Sequence, residues 1–142
     1  MTLYLDASVV VPTLIAEATS PEVDRFFLAP AEPLMVGEFA AAETASAISR
    51  LVRMNLVTEV VATERLAKFD SWRSTSTSEF AFQPADFLLA SMLVRRFELG
   101  LRAPDALHLA ACRRGDHTLV TLDRRLAGAA EALGVRVTCL AA

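Results

Sequence analysis

The chain opens on Thr2-Leu3-Tyr4-Leu5-Asp6 and returns late in the sequence to a similar pattern, His117-Thr118-Leu119-Val120-Thr121-Leu122-Asp123. Both stretches are short, are rich in apolar and β-branched residues, and end on an aspartate. A strand that is apolar on both faces is typical of a parallel sheet covered by helices on each side. The two patterns therefore predict a buried parallel sheet with carboxylates at the carboxyl ends of two strands.

Helical patterns alternate with strand patterns along the rest of the chain. Helices are predicted over 8–17, from Ser20 onward, and over 38–54, 63–73, 84–97, 104–114 and 124–133, with further strands at 34–36, 79–82 and 135–140. The polar run 74–78 is predicted to be a loop. Because strands and helices alternate, we expect an α/β fold in three layers, with a central, mostly parallel sheet covered by helices on both faces.

Length and composition indicate a single globular domain over residues 1–142. Of these residues 54% are hydrophobic and 22% are charged, with only 5 Gly and 6 Pro. Such a composition excludes a disordered tail or a collagenous chain. The net charge of −3 argues against a general basic surface for nucleic acid. It does not argue against an enzyme whose cleft holds carboxylates for metal ions.

The cysteines and the apolar segments point to a cytoplasmic protein. Cys112 and Cys139 belong to no C-x-x-C pair, so we expect two buried, reduced thiols rather than a disulfide or a zinc site. The first residues lack the cationic segment of a signal peptide. The apolar run 87–94 is far shorter than the roughly 18 residues that a membrane span requires.

Asp6 and Asp123 lie at the carboxyl ends of the two clearest predicted strands. In parallel α/β sheets, ligands bind beyond these ends, near the point where strand order reverses. Each aspartate also stands where a helix begins, and there a side-chain oxygen often caps free backbone N–H groups. From the sequence, both interpretations stay open for both residues.

Glu43 and Asp105 are two further acids in unusual surroundings. Glu43 lies inside a predicted helix with no basic residue three or four positions away, so it faces either solvent or a cation. Asp105 lies in a helical first turn, where the helix dipole favours an acid. Its neighbours are almost all apolar, so it requires a partner, which His108 is placed to supply. We interpret His108 as a hydrogen-bonded structural histidine rather than a metal ligand.

The four acids together suggest a metal site. Carboxylates brought close together repel each other, whereas a divalent cation between them reverses the sign of that interaction. Oxygen-only ligands suit Mg²⁺ or Mn²⁺ rather than zinc. Such a site positions and activates water and stabilises charge at a phosphodiester.

Four short motifs, taken in order, resemble the PIN-domain ribonucleases, and among them the VapC-type toxins of type II toxin–antitoxin pairs. The motifs are Tyr4-Leu5-Asp6-Ala7-Ser8, the segment from Glu43 to Arg50, Ala103-Pro104-Asp105-Ala106-Leu107-His108, and Leu119-Val120-Thr121-Leu122-Asp123. Their order and spacing extend the resemblance over nearly the whole chain. It implies a PIN-like fold with a central sheet of four to five parallel strands, and a Mg²⁺- or Mn²⁺-dependent endoribonuclease.

The resemblance assigns roles to particular residues and partners. It implies that Asp6, Glu43, Asp105 and Asp123 are the catalytic, metal-binding acids and that Ser8 and Thr121 support them. RNA would be the substrate, a VapB-type antitoxin the inhibitor, and a homodimer the expected assembly. The arginines nearest to the motifs, and hence our candidates for RNA binding, are Arg50, Arg124 and Arg125. The apolar faces of the helices at 38–54 and 63–72 are candidates for contacts with partners.

The sequence disfavours two other classes of function. A module of the same fold that binds nucleic acid or protein without cleaving is disfavoured because all four acids are present. A phospho-acceptor receiver domain also carries strand-end aspartates but needs a lysine at a late strand end. The only lysine, Lys68, lies in a predicted mid-chain helix, so this class is disfavoured further.

Overall fold

The computed structural model describes residues 1–29 and 32–141. Its elements, in chain order, are β1 (Leu3–Leu5), α1 (Ala7–Leu14), α2 (Ser20–Leu28), β2 (Leu34–Met35), α3 (Glu38–Arg53), α4 (Glu59–Ser76), β3 (Thr77–Ser78), α5 (Pro84–Val94), a short 3₁₀ helix (Phe97–Leu99), α6 (Ala103–Gly115), β4 (Thr118–Thr121), α7 (Arg124–Ala132) and β5 (Val137–Cys139). The alternation confirms the predicted α/β class.

The sheet has five strands in the order β3-β2-β1-β4-β5, and every neighbouring pair is parallel. β1 lies at the centre, with Leu3 and Leu5 paired to Thr118 and Val120 of β4. From β1 the chain builds the sheet outward through β2 and β3, and then crosses back to add β4 and β5 on the other side. Strand order therefore reverses between β1 and β4, which is where such folds bind ligands.

The strands are apolar on both faces because both faces are covered. Tyr4 and Leu119 pack in one cluster with residues of α5, α6 and α7. Leu5 and Val120, the next residues along the same strands, pack in a second cluster with residues of α1, α2, α3 and α4. The sheet is thus the middle of three layers. No helix in the described parts of the chain combines the length and apolarity needed to cross a membrane.

The predicted bounds of α4 were wrong at both ends. The helix starts four residues earlier than expected, at Glu59, where the Thr58 hydroxyl accepts a hydrogen bond from the N–H of Val61. It continues to Ser76 through the segment predicted to be a loop. Hydroxyls in that segment, such as those of Thr75 and Thr77, donate to carbonyls one turn earlier, which satisfies them within the helix.

Three further expectations require correction. The strand in this region is β3 at Thr77–Ser78, directly before the predicted segment 79–82. α5 ends at Val94, three residues before the predicted end, and Phe97 begins the separate 3₁₀ helix. Cys112 is buried as expected, but Cys139 is exposed because it lies on the edge strand β5.

Candidate active site

Asp6 is the centre of the candidate site. It follows β1 directly and is only 5% exposed. Its Oδ1 accepts a hydrogen bond of 2.5 Å from the Ser8 hydroxyl, and its Oδ2 accepts one of 2.6 Å from the Thr121 hydroxyl of β4. Its side chain makes no capping hydrogen bond to α1. The capping interpretation therefore does not hold for Asp6, whose two carboxylate oxygens are held by Ser8 and Thr121 instead.

Ser8 and Thr121 connect this carboxylate to the backbone around it. The Ser8 hydroxyl accepts from the N–H of Leu122 at 2.9 Å, and the Thr121 hydroxyl accepts from the N–H of Asp123 at 3.0 Å. Each hydroxyl thus receives a backbone hydrogen bond and donates its own proton to Asp6. The turn after β4 and the carboxylate after β1 are fixed by the same two side chains.

Burial raises the pKa of Asp6 above the ordinary value for an aspartate. The hydrogen bonds from Ser8 and Thr121 lower it but do not cancel the effect of burial, and the nearby charge of Glu43 raises it further. Both hydroxyls are neutral, and no arginine or lysine of the described residues forms an ion pair with this buried carboxylate. A buried charge without a counter-charge is costly, and a bound cation would remove that cost.

Asp105 lies close to the start of α6 and is 7% exposed. Its Oδ2 accepts a hydrogen bond of 3.2 Å from the N–H of Arg102, as expected for an acid in a helical first turn. Two guanidinium groups approach the same oxygen, those of Arg125 at 3.6 Å and Arg102 at 3.7 Å. The partners of Asp105 are these arginines, so the expected pairing with His108 was wrong.

His108 pairs instead with Glu43. Its Nε2 lies 2.5 Å from Oε1 of Glu43, and its Nδ1 lies 2.7 Å from the hydroxyl of Tyr4. His108 is 3% exposed, which agrees with its prediction as a hydrogen-bonded structural histidine. The partner that Glu43 lacks on its own helix is therefore supplied by α6, and Glu43 points at a side chain of the site rather than only at solvent.

Asp123 caps α7. Its Oδ1 accepts hydrogen bonds from the N–H groups of Arg125 at 2.9 Å and Leu126 at 3.1 Å. The capping interpretation is thus correct for Asp123, unlike Asp6. Capping uses Oδ1, so it leaves Oδ2 without a partner among the described residues and does not exclude a second role.

The candidate arginines differ in position. Arg125 reaches Asp105, and Arg124 lies beside it with its side chain exposed. Arg50 is also exposed but lines a separate groove with Val11 and Met54. Arg102 was not predicted; it is the N-cap residue of α6, three residues before Asp105, and this position brings its backbone N–H to the Asp105 carboxylate.

The carboxylates share one edge of the sheet but are not gathered around a common point. Within residues 1–29 and 32–141, no group of three or more histidine, cysteine or acidic side chains is arranged to hold a metal ion. The donor chemistry nevertheless fits a hard cation, since all four acids offer only oxygen. Asp6 fits best because each of its oxygens has accepted a single hydrogen bond from a neutral donor.

Comparisons with known proteins address the fold and the family. The PIN domain family matches residues 3–132. No curated protein sequence matches the chain significantly. Several solved structures share its fold at low sequence identity.

Three of these structures illustrate the similarity. The VapC20 toxin of Mycobacterium tuberculosis, described as cleaving the sarcin-ricin loop, is 18% identical with a TM-score of 0.72, over 89% of this chain and 94% of that one. VapBC2 of Rickettsia felis, bound to a promoter DNA fragment, is 14% identical with a TM-score of 0.70, over 98% of each chain. VapBC-1 of Haemophilus influenzae is 10% identical with a TM-score of 0.69, over 99% of this chain and 98% of that one. Because the family match covers nearly the whole sequence and the fold agrees with it, the chain belongs to the PIN-domain family.

Proposed function

We propose that this chain is a divalent-metal-dependent endoribonuclease and the toxin of a type II toxin–antitoxin pair. The observation that carries the proposal is the environment of Asp6, a buried carboxylate held by two neutral hydroxyls at the reversal of strand order. Such a carboxylate is suited to a cation that the protein does not itself supply. Support also comes from membership of the PIN-domain family and from the RNA-cleaving toxin among the structural neighbours.

Asp6 and Asp105 are the residues that we assign first to Mg²⁺ or Mn²⁺, with Glu43 and Asp123 completing the set. An ion bound there stabilises negative charge at a phosphate and makes a bound water more acidic. Ser8 and Thr121 fix the direction of both Asp6 oxygens. Asp105 must exchange its arginines for the ion, and the two contacts are long, at 3.7 and 3.6 Å, and are made by exposed arginine side chains.

The arginines around Asp105 are suited to RNA. Arg102 and Arg125 have side chains 72% and 54% exposed, and Arg124 is exposed beside them. Guanidinium groups bind phosphate oxygens through paired N–H donors. We therefore assign the binding of backbone phosphates to this rim, and Arg50 is a weaker candidate because it lines a different groove.

An antitoxin and a second copy of the chain are the proposed protein partners. VapBC assemblies are among the structural neighbours. An apolar groove of about 530 Å³ between α1, α2 and α4 is suited to an antitoxin segment, and it is lined by residues including Leu14, Phe27, Leu28, Phe69 and Trp72. For a homodimer, the exposed apolar residues Phe87, Leu88, Met92 and Phe97 offer a surface on α5 and after it, rather than the predicted faces of α3 and α4.

The experiment that tests the proposal measures cleavage of a mixed RNA substrate with Mg²⁺ or Mn²⁺ and with EDTA. We expect EDTA-sensitive cleavage by the wild type. Asp6→Asn, Glu43→Gln and Asp105→Asn should each abolish it, because the amides remove charge at nearly constant volume. Asp70→Asn, at an exposed position of α4, is the matched control and should cleave like the wild type.

Two results would contradict this function. Cleavage that survives EDTA or Asp6→Asn would show that the acids are not metal ligands. Tight RNA binding without cleavage under any metal would instead favour a non-cleaving binding module of the same fold. For the partner proposal, a monomer in light scattering at tens of micromolar would exclude the homodimer.

A further inference from the structure

Three residues from three elements form a hydrogen-bonded line beside the candidate site. Tyr4 of β1 contacts Nδ1 of His108 at 2.7 Å, and Nε2 of His108 contacts Glu43 of α3 at 2.5 Å. Tyr4 and His108 are buried, whereas the Glu43 side chain is 31% exposed. The line therefore runs from the core to a partly exposed acid on α3.

The hydrogen bonds of His108 determine its tautomer. The carboxylate of Glu43 only accepts, so Nε2 must carry a hydrogen. Among the described residues the Tyr4 hydroxyl has no partner besides Nδ1, so its proton has nowhere else to go. Tyr4 therefore donates to Nδ1, and a neutral ring with its hydrogen on Nε2 satisfies every group.

The imidazole ring is also held by packing. Tyr4 meets it edge to face at 5.5 Å between centroids, and Phe39 lies against it at 5.2 Å. Phe39 and Glu43 are one helical turn apart and share a face of α3, so this helix presents both a ring and an acid to His108. Ring position and tautomer are fixed together, which fixes the direction in which Nε2–H points.

A neutral donor orders a carboxylate without cancelling its charge. An unrestrained glutamate on a helix surface samples many rotamers, and ordering it when an ion binds costs conformational entropy. An arginine partner would restrain Glu43 but would compete with a cation for its charge. The hydrogen bond from His108 restrains Oε1 and leaves Oε2 without a donor among the described residues.

We propose that His108, with its tautomer fixed by Tyr4, is a positioning residue that holds the Glu43 carboxylate ready for a divalent cation at the Asp6 edge of the sheet. The inference rests on the proposed function. It adds that Tyr4 and His108 affect metal affinity only by orienting the Glu43 carboxylate. Groups that orient metal ligands in this way typically change metal affinity or activity by about 10- to 100-fold when removed.

The test is a titration of the metal-free protein with Mn²⁺, followed by electron paramagnetic resonance of the free ion. His108→Asn and His108→Gln separate the two ring nitrogens, because the Asn amide reaches the place of Nδ1 and the Gln amide N–H reaches that of Nε2. We expect His108→Asn to weaken Mn²⁺ binding by roughly 10- to 100-fold. His108→Gln should restore most of that loss, and Tyr4→Phe should cost about 2- to 10-fold.

A double-mutant cycle with Glu43→Gln distinguishes positioning from a merely structural role. In the Glu43→Gln background, His108→Asn and Tyr4→Phe should cause no further loss of Mn²⁺ affinity, because their effect passes through the missing charge. His117→Asn, which changes the other histidine, is the matched control and should bind Mn²⁺ like the wild type.

The two proposals fail in different ways. If the wild type binds Mn²⁺ and Asp6→Asn does not, while His108→Asn binds normally or still loses affinity in the Glu43→Gln background, only the role of His108 is overturned. If His108→Asn does not fold, Tyr4→Phe in both backgrounds decides the same question. If the wild type binds no Mn²⁺ and cleaves no RNA, the proposed function is overturned and this inference with it.

Discussion

Two buried aspartates of this protein, Asp6 and Asp86, differ in the groups that surround their carboxylates. Asp86 lies at the start of α5 and is 1% exposed. Its carboxylate accepts two hydrogen bonds from Arg114, of 2.7 and 3.0 Å, and a third of 2.8 Å from the N–H of Gln83. Asp6 is almost as buried but receives only two hydroxyls.

The contrast also determines the two pKa values. Burial raises the pKa of Asp86, but the hydrogen bonds from Arg114 and Gln83 and the charge of Arg114 outweigh it and bring the pKa below the ordinary value. For Asp6 burial prevails, and the pKa is raised. A carboxylate that the fold neutralises with its own arginine serves stability, whereas one left with neutral donors is available to an external cation.

The largest expected effect comes from removing the arginine of the Asp86 pair. Arg114→Met leaves a carboxylate buried without a counter-charge, so we expect the melting temperature to fall by roughly 6–12 °C in thermal unfolding. Arg136→Met is the matched control, because its partner Asp116 is 84% exposed, and it should shift the temperature by less than about 2 °C. Equal shifts for the two variants would show that the Asp86 pair carries no special weight.

The second expected effect concerns metal binding at Asp6. Mg²⁺ or Mn²⁺ at a hundred times its dissociation constant should stabilise the wild type by about 2.7 kcal/mol. The same gain should appear in Arg114→Met and be lost in Asp6→Asn, whereas zinc-selective chelation should change nothing. A melting curve indifferent to millimolar Mg²⁺ and Mn²⁺ would count against the acids as a metal site.

A smaller effect distinguishes the two aspartates by pH in the metal-free protein. The lowered pKa of Asp86 stabilises the fold above the ordinary aspartate pKa of about 3.9, and this contribution is lost as pH falls through the folded-state value. The raised pKa of Asp6 does the reverse, because its cost is present at neutral pH and vanishes in acid. Near pH 7, Asp86→Asn should therefore melt below the wild type, and Asp6→Asn at or above it.

Both differences should shrink as the pH falls toward 3, and the Asp6 difference should shrink first, because its raised pKa is passed before the lowered pKa of Asp86. Differential scanning calorimetry between pH 3 and 7 measures this convergence. A marked fall in melting temperature for metal-free Asp6→Asn at pH 7 would contradict the assignment, because Asp6 would then be a stabilising partner like Asp86.

The smallest expected effect on stability belongs to Arg125. Its contact with Asp105 is 3.6 Å long, its side chain is 54% exposed, and Arg102 remains beside the same carboxylate oxygen, so Arg125→Gln should move the melting temperature by less than about 2 °C. Binding to single-stranded RNA should weaken, and the salt dependence of log K should fall by about 0.7 for one lost phosphate contact. Arg136→Gln is the control, and equal RNA affinity for both variants would remove Arg125 from the proposed phosphate-binding rim.

The sequence predicted most of the architecture because its signals are local. Strands with two apolar faces, as at Leu3–Leu5, and helices with proline in their first turn, as in α5 and α6, are recognisable within a few residues. The prediction failed at residues 74–78, where serines and threonines suggested a loop. Their hydroxyls bond back to the preceding turn instead and extend α4.

For the site, the sequence by itself determined the position of each acid relative to its strand or helix. The tertiary structure decided which groups each acid contacts. Asp6 and Asp123 are alike in sequence, since each ends a strand and precedes a helix. Asp123 caps its helix through neighbours two and three residues away, an interaction that spacing alone predicts. Asp6 does not cap α1 and instead accepts a hydrogen bond from Thr121. Thr121 is within reach only because β1 and β4 are adjacent in the sheet.

The same reason explains the partners that the sequence did not reveal. Glu43 meets His108 across 65 residues, and Asp86 meets Arg114 across 28. Hydrogen bonds and ion pairs act over a few ångströms in space, and sequence patterns report only the neighbours that one helix or strand brings together. Which buried acid receives an arginine and which receives only neutral hydroxyls therefore became visible only when the helices were packed against the sheet.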